Sequence, residues 1–435
     1  MSNYKKLAIN GGTPVRTDLF PAYNTITQEE IDTSIEVLRS GNLSQFLGAP
    51  SNDFLGGPKV KEFEKLWAKM FDSDYCISMN SATSGLFASI GACGIGPGDE
   101  VIVSPYSMSA SAICPIIYGA VPVFADIQDD IFTLCPKSIE KNITKRTKAI
   151  VVVHIFGHPA DMDSIIEIAK KYNLFVIEDC AQAPLAEYKN KKVGTIGDIG
   201  IFSLNYHKHI HTGEGAMITT NNKELAKKLQ LIRNHSENSL DNVELDNYFG
   251  MFGFNYRLTE IQAAIGITQL KRLKQYIEER IENCNYISEK LKKLIGIITP
   301  VVYKNSKHVY YVQALKFKQE IIGIHRNKFV NAIAAELPSA KLRESTGKLI
   351  SSGYVKPLYL QSIYQKRNIS KCSFNCSKYD GEVSYEKGLC PTTEKMHYEE
   401  LFTHEYMRPG MSKKDLDDFI YAVEKVYENR SELSR

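Results

Sequence analysis

The sequence has almost no charge excess and no long apolar run. Its 435 residues include 53 basic and 50 acidic side chains, which gives a formal net charge of +3. An excess this small gives no reason to expect nucleic acid or an anionic membrane as a partner. No stretch approaches the roughly 20 apolar residues of a membrane-spanning helix, and residues 1–6 do not lead into the apolar segment of a signal peptide. We therefore expect a cytoplasmic protein.

A disulfide framework is also missing. The nine cysteines are odd in number, and Cys93, Cys114 and Cys180 each lie alone in apolar surroundings. Such usage is typical of reduced, buried thiols.

One group of possible metal ligands departs from that pattern. Its members follow a C-x3-C-x13-C-x6-H spacing, at Cys372, Cys376, Cys390 and His397. Because this spacing matches neither zinc ribbons nor zinc fingers well, we favour a solvent-facing loop with free thiols over a metal site.

The first 265 residues contain strands and helices in regular alternation. Apolar runs of strand length occur at 100–103, 121–124, 149–154, 174–177, 199–203 and 216–219. Helical periodicity follows them or precedes them at 28–39, 59–70, 83–93, 108–118, 136–142, 161–172 and 222–234. Alternation of this kind predicts an α/β fold with a mostly parallel central sheet that helices flank on both faces.

The second part of the chain has a different character. A long helical run begins near residue 260, and a strand-like segment at 309–317 and helices at 326–336 and 413–430 follow it. We predict a large domain at 1–265 and a smaller α+β domain at 266–435, with a loop insertion near 365–392. Residues 1–25 are expected to pack on the small domain or on a partner.

Two residues at strand ends indicate the chemistry. Asp179 closes the apolar run at 174–177, and Lys208 follows the run at 199–203 after five residues. In such sheets ligands bind beyond the carboxyl ends of the strands. A lysine that forms a Schiff base and an acid that partners a pyridinium nitrogen are the groups that hold pyridoxal phosphate. An acid that simply terminates a strand is the plain alternative for Asp179.

Other residues fit the same cofactor. Thr83 and Ser84 precede a helix, whose unpaired backbone N–H groups and dipole can bind a phosphate. An ordinary helix N-cap explains them equally well when they are taken alone. Gln182 lies three residues after Asp179 and is placed to reach the phenolic oxygen of the cofactor ring.

Three alternating histidines offer a different interpretation. His207, His209 and His211 surround Lys208 and could be read as a metal-binding strand. We favour the cofactor lysine, because no acid or cysteine is spaced to complete a metal site.

Taken together, these residues and the sequence around them are similar to a known family. The chain resembles the DegT/DnrJ/EryC1/StrS group of pyridoxal phosphate enzymes, which are sugar aminotransferases of the aspartate-aminotransferase fold type. The matching strings occur in the family's order at 11–16, 54–58, 94–101, 177–183, 213–215 and 253–264.

The resemblance assigns roles to individual residues. It implies that Lys208 forms the Schiff base, that Asp179 partners the pyridinium nitrogen and that Gln182 contacts the phenolic oxygen. Phosphate contacts are implied for a second group of residues, Thr83, Ser84, Ser203 and, from the neighbouring subunit, Asn255. The last of these implies a homodimer with shared active sites.

The resemblance also implies an activity. An amino group would pass from glutamate or glutamine to a keto sugar, most often a nucleotide-linked one, in the synthesis of amino sugars and polysaccharides. Relatives that act as sugar dehydratases carry histidine at the position of Lys208, so this lysine favours transamination. A cyclitol ketone as acceptor, a dehydratase reaction and a non-enzymatic binding protein remain as alternatives.

The chain departs from the family pattern in two places. Where relatives stack an aromatic ring on the cofactor, this sequence has Met108, and Tyr106 precedes it by two residues. A thioether can also pack on a ring face, so we expect either Met108 or Tyr106 to cover the cofactor. Residues 338–400 follow the family only loosely, which weakens any inference about the substrate.

Overall fold

The structure is a computed structural model that describes residues 6–236, 251–341, 346–366 and 379–434. Its strands, in chain order, are β1 (Tyr75–Met79), β2 (Glu100–Val103), β3 (Val121–Phe124), β4 (Thr147–Val153), β5 (Phe175–Asp179), β6 (Glu187–Tyr188), β7 (Lys191–Lys192), β8 (Ile199–Ser203), β9 (Ala216–Thr220), β10 (Ile297–Ile298), β11 (Gln313–Phe317), β12 (Ala340–Lys341), β13 (Thr346–Gly347), β14 (Ile350–Ser352) and β15 (Leu401–His404).

The helices alternate with the strands in the first part of the chain and cover the small sheet in the second. They are α1 (Gln28–Ser40), α2 (Pro58–Phe71), α3 (Ala82–Ala92), α4 (Ala110–Ile117), α5 (Pro136–Lys141), α6 (Met162–Tyr172), α7 (Lys223–Arg233), α8 (Glu260–Leu291), α9 (Gln319–Ile322), α10 (Arg326–Glu336), α11 (Ser362–Lys366), α12 (Pro391–Lys395) and α13 (Lys413–Glu428).

A seven-stranded sheet forms the centre of the large unit, in the order β1-β9-β8-β5-β4-β2-β3. The pairs β2–β3, β2–β4, β4–β5 and β5–β8 are parallel, whereas β9 runs antiparallel to both of its neighbours. Helices bury both faces, which is why strands such as β4 are apolar almost throughout. The predicted α/β fold with a mostly parallel sheet is confirmed.

The small unit is built on an antiparallel sheet in the order β10-β11-β15-β14. Its core includes residues from α8, α10 and α13. The helix α8 crosses the predicted boundary at 265/266 without a break, so both units share one element. At the N-terminus, Leu7 is buried in the core of the small unit, and Arg16 Nη1 lies 2.5 Å from Asp415 Oδ1.

Several strands were not predicted from the sequence, namely β1, β6, β7, β10 and β12 to β15. In β1 the polar Ser78 is fully buried. Its hydroxyl and its N–H both donate to Glu64 Oε1, at 2.8 Å each, so a distant carboxylate makes the polar residue compatible with the core. The strand predicted at 309–317 is also too long, because only Gln313–Phe317 pairs as β11.

Two further expectations concern membrane-spanning helices and the insertion near 365–392. Among the residues that the structure describes, no helix is both long and apolar enough to cross a bilayer. Part of the predicted insertion near 365–392 lies outside the described residues, together with Cys372 and Cys376.

Candidate active site

A cavity of about 300 Å³ opens at the carboxyl ends of β5 and β8. Of the residues predicted for the site, Thr83, Met108, Asp179, Ser203 and Lys208 line it, and Ser84, Gln182 and Asn255 are not part of its wall. The volume lies at the lower end of the range of ligand pockets, about 300–1,000 Å³.

Adjacent acids on β5 point to opposite faces of the sheet, as the two-residue period of a strand requires. Glu178 turns into the core, where its two oxygens accept from His154 Nε2 and from three backbone N–H groups, at Gly194, Ile196 and Gly197. Asp179 turns to the cavity instead. Its carboxylate accepts from Ser111 Oγ at 2.7 Å and from the Ala181 N–H at 3.1 Å.

These contacts leave acceptor capacity on Asp179. A carboxylate has about four lone-pair positions, and two of them are used. Ser111 was not predicted, because nothing in the local sequence of α4 indicates that one of its serines faces a strand 68 residues away. Its hydroxyl fixes the plane of the carboxylate toward the cavity.

Lys208 sits in a loop that closes on itself between β8 and β9. The Leu204 N–H donates to Gly215 O at 2.8 Å and the Thr212 N–H donates to Leu204 O at 3.0 Å, so the loop ends stay together. The side chain is 6% exposed, and its Nζ lies 4.5 Å from the centroid of the Tyr311 ring.

The surroundings of Lys208 suit a nucleophilic amine. Burial lowers the pKa of Lys208 to about 8, and the Asp179 and Glu214 carboxylates act in the opposite direction. A lysine is reactive when its amine is unprotonated at working pH. Glu214, which the sequence analysis did not assign to the site, also lines the cavity and accepts from Asn205 Nδ2 at 2.8 Å.

The opposite end of the cavity is formed by the first turn of α3. Ser81, Ala82 and Thr83 line it, and Ser81 caps the helix by accepting from the Ser84 N–H at 3.1 Å. The unpaired N–H groups of such a turn and the helix dipole favour an anion. The Ser84 hydroxyl donates to Asn80 Oδ1 at 2.7 Å, and its contact with the phosphate stays a prediction.

A glycine allows α3 to approach the sheet. A Cβ at Gly85 would lie 3.1 Å from Ile218 Cγ1 and 3.2 Å from Ile201 Cγ2, which is tight for a methyl group. Thr83 in the first turn of this helix and Ser203 at the end of β8 line the same cavity.

Met108 and Tyr106 have separate places. Met108 lines the cavity and is 53% exposed. Tyr106 is fully buried, where its hydroxyl accepts from the Tyr354 N–H at 2.8 Å and contacts His397 Nδ1 at 3.1 Å. Of the two alternatives, Met108 is therefore the residue on the cavity wall.

Asn255 lies on the surface beside the first turn of α3. Its carbonyl accepts from Asn80 Nδ2 at 3.4 Å, and its side chain is exposed. The predicted contact with a neighbouring subunit stays a prediction.

The three histidines around Lys208 do not form a strand. His209 is buried and its Nε2 contacts Val309 O at 3.0 Å, whereas His207 is exposed on the cavity wall. Within the described part of the chain, His154, Glu178 and Cys180 are the group with metal-like spacing. The ring nitrogens of His154 and the oxygens of Glu178 are already hydrogen-bonded, so we regard this group as structural.

The cavity fits pyridoxal phosphate by the chemistry of its donor set. It combines a buried amine of lowered pKa, a carboxylate with unused acceptor capacity and a helix N-terminus beside two hydroxyl side chains, Thr83 and Ser203. Together with a sheet in which β9 alone is reversed, this defines a pyridoxal phosphate enzyme of the aspartate-aminotransferase fold type.

Comparison with known proteins identifies the family. The sequence profile of the DegT/DnrJ/EryC1/StrS aminotransferase family matches residues 24–424. The chain belongs to this family, and it is a pyridoxal phosphate-dependent aminotransferase. The predictions of family, fold class, cofactor and enzyme class are thereby confirmed.

Individual relatives differ in what they act on. A GDP-perosamine synthase of Caulobacter vibrioides is 41% identical over 60% of this chain and 69% of that protein. An L-glutamine:2-deoxy-scyllo-inosose aminotransferase of Micromonospora echinospora is 31% identical over 98% of this chain and 99% of its own length. The X-ray structure of an aminotransferase from Psychrobacter cryohalolentis matches with a TM-score of 0.79 at 29% identity, covering 94% of this chain and 99% of that one.

Proposed function

We propose that the protein transfers the amino group of glutamate or glutamine to a nucleotide-linked keto sugar, in the synthesis of an amino sugar for a polysaccharide. The observation that carries the proposal is the pairing of Lys208 and Asp179 in one cavity. The similarity to a GDP-perosamine synthase supports a sugar acceptor. A cyclitol ketone is the second candidate, because the relative that acts on 2-deoxy-scyllo-inosose covers nearly the whole chain.

Each residue of the cavity has a separate task in this proposal. Pyridoxal phosphate, when bound, supplies an aldehyde that condenses with amines and a ring that withdraws electrons from the carbon next to the nitrogen. Lys208 Nζ removes a proton from the α-carbon of the amino donor. When the acceptor is aminated, the same amine supplies a proton to the carbon that receives the nitrogen. Asp179, held by Ser111, keeps a negative charge beside the ring nitrogen.

The other residues bind and orient. Thr83, Ser203 and the N-terminus of α3 hold the phosphate, Gln182 donates toward the phenolic oxygen, and Met108 covers the ring face. The assignments of Thr83, Ser203 and Gln182 follow the family resemblance, whereas Met108 stands where relatives have an aromatic ring. The positions of Thr83, Met108 and Ser203 on the cavity wall support these three assignments.

We further propose a homodimer in which Asn255 reaches the cavity of the partner. In support, three apolar side chains on α1 follow a helical spacing and are exposed, namely Ile31 (46%), Ile35 (37%) and Leu38 (55%). An apolar stripe of this kind is typical of a surface that a partner covers. Sedimentation of Ile35→Asp should show dissociation, and Glu36→Lys on the polar side of the helix is the control.

A spectrum tests the activity. The visible band of the cofactor-loaded protein should disappear on addition of one amino donor, and it should return when the correct ketone follows. Offering a nucleotide-linked keto sugar and 2-deoxy-scyllo-inosose in parallel separates the two acceptor classes. A band that ignores glutamate, glutamine and both ketones would contradict the proposal. The cytoplasmic location stays a prediction.

A further inference from the structure

The amide of Gln182 is bound at both ends. Its Oε1 accepts from the Phe156 N–H at 2.6 Å, and its Nε2 donates to the Tyr354 hydroxyl at 2.9 Å. Because a backbone N–H can only donate, the oxygen of the amide must face Phe156, and this fixes the orientation of the whole group. One N–H of Nε2 remains for another acceptor.

Phe156, whose N–H binds the amide oxygen, has an unusual backbone conformation. Its φ of 59° lies in the left-handed region although it is not a glycine, and strained conformations of this kind cluster at functional sites. The same residue packs its ring against Tyr354, with centroids 5.4 Å apart. Its carbonyl accepts from the Tyr311 N–H at 2.8 Å.

Tyr354 is held in turn by contacts to both units, through Tyr106 of the large unit and through the small sheet. Its N–H donates to the Tyr106 hydroxyl at 2.8 Å, so the proton of that hydroxyl is free to be donated to His397 Nδ1, 3.1 Å away. The preceding Gly353 is tied to the sheet, because its N–H donates to Leu401 O at 2.7 Å. The Tyr354 side chain is thus carried by the small sheet and reaches a residue of the large one.

A neutral Tyr354 hydroxyl can accept the hydrogen bond that Gln182 Nε2 donates. Burial raises the pKa of Tyr354 to about 12, the hydrogen bond from Gln182 opposes this rise, and the Asp179 and Glu405 carboxylates add to it. The hydroxyl is therefore neutral at working pH.

We propose that Tyr354 is a positioning residue: its hydroxyl fixes the amide of Gln182 and so sets the hydrogen bond that the cofactor's phenolic oxygen receives. This inference rests on the proposed function, specifically on the assignment of Gln182 to that oxygen. Because Tyr354 comes from residues 338–400, where the chain follows the family loosely, the small unit tunes the cofactor through a residue outside the family motifs.

The test removes only the hydroxyl. In cofactor-loaded Tyr354→Phe, the pH midpoint of the visible band should rise, because weaker donation leaves more negative charge on the phenolic oxygen and strengthens its hold on the proton that it shares with the adjacent nitrogen. The expected shift is about half to one pH unit, the equivalent of one neutral hydrogen bond. The titratable residues that line the cavity, Asp179, His207, Lys208 and Glu214, are unchanged. Tyr421→Phe on the exposed side of α13 is the control and should not move the midpoint.

A double-mutant cycle shows whether the effect passes through Gln182. Gln182→Ala should raise the midpoint by itself, and adding Tyr354→Phe should raise it no further. Tyr106→Phe, which loosens the support of Tyr354, should give a smaller rise, and it serves as the second variant if Tyr354→Phe does not fold.

Several outcomes would overturn the inference. An unchanged midpoint in Tyr354→Phe would do so, and so would the same rise in the presence and absence of Gln182, which would mean direct action on the cofactor. If Gln182→Ala leaves the midpoint unchanged while amino transfer continues, the role of Gln182 is wrong and the proposed function stands. Wild-type protein that forms no visible band would contradict the proposed function itself.

Discussion

The two halves of the active site are built in different ways. The large unit contributes Asp179 and Lys208 at the ends of neighbouring strands, within 30 residues of each other in the sequence. The small unit contributes Tyr311 and Tyr354, which reach the site only because the antiparallel sheet docks beside it. The first half contains the charged and nucleophilic side chains. The second half contains aromatic rings and a hydroxyl that contact Lys208 and Gln182.

The two halves meet different chemical requirements. Strand-end residues are fixed by the requirements of the cofactor, and any aminotransferase of this fold needs an amine and an acid there. The positioning half can change as long as it holds the same groups in place.

The largest effect is expected from removing the amine of Lys208 in the large unit. Lys208→Ala should lower the rate of amino transfer by at least about 10³-fold, because it removes the group that moves the proton. Turnover with the matched donor and acceptor is the measurement. Lys148→Ala, on an exposed face of the large unit, is the control and should keep the wild-type rate. Wild-type turnover in Lys208→Ala would remove the central assignment.

The second prediction concerns the pH at which Lys208 loses its proton. With a pKa of about 8, well below the ordinary 10.5, the folded protein binds fewer protons than the unfolded chain between these values. Stability of the cofactor-free protein should therefore rise with pH across that window, by about 3 kcal/mol in total from this group. Amine labelling of Lys208, followed by mass spectrometry, should have its midpoint near pH 8, whereas exposed lysines should label near 10.5.

A smaller effect is expected at the support of Asp179. Ser111→Ala removes a hydrogen bond of 2.7 Å to the carboxylate, and a bond to a charged group contributes about 1.5–3 kcal/mol. The value of kcat/KM should fall by about tenfold or somewhat more. Ser89→Ala removes a hydroxyl that donates to Gly85 O at 2.7 Å within α3, and it should leave kcat/KM nearly unchanged. Equal losses in both variants would argue against a specific role for Ser111.

The smallest expected effect is the contribution of His397, in the small unit, to the pH dependence of the free energy of unfolding. Burial, with help from the Arg326 guanidinium, lowers the pKa of His397 to about 4. Because the unfolded chain takes up this proton near pH 6.5, the free energy of unfolding should fall as pH drops from 6.5 to 4, by about 1 kcal/mol after screening at this half-exposed site. His397→Gln should lessen that fall, whereas His209 and His404 titrate equally in both proteins. An unchanged pH dependence would contradict the low pKa.

The chemistry and most strands of the large sheet could be predicted from the amino-acid sequence alone. The apolar runs predict β2, β3 and β8 at their observed bounds, because strands buried on both faces cannot contain polar residues without partners. Asp179 and Lys208 could be assigned from the same runs, since the carboxyl ends of parallel strands meet at one edge.

The remaining contacts join elements that are far apart in the sequence and could not be predicted from it. The strand β1 contains a buried serine that is satisfied by Glu64, and no local pattern reveals a partner on another element. Ser111 and Tyr354 lie 68 and 172 residues away from the side chains that they bind. The position of Met108 on the cavity wall, with Tyr106 in the core, was likewise open in the sequence. Periodicity describes which way a residue faces along its own element, whereas the partner across a cavity depends on how the elements pack.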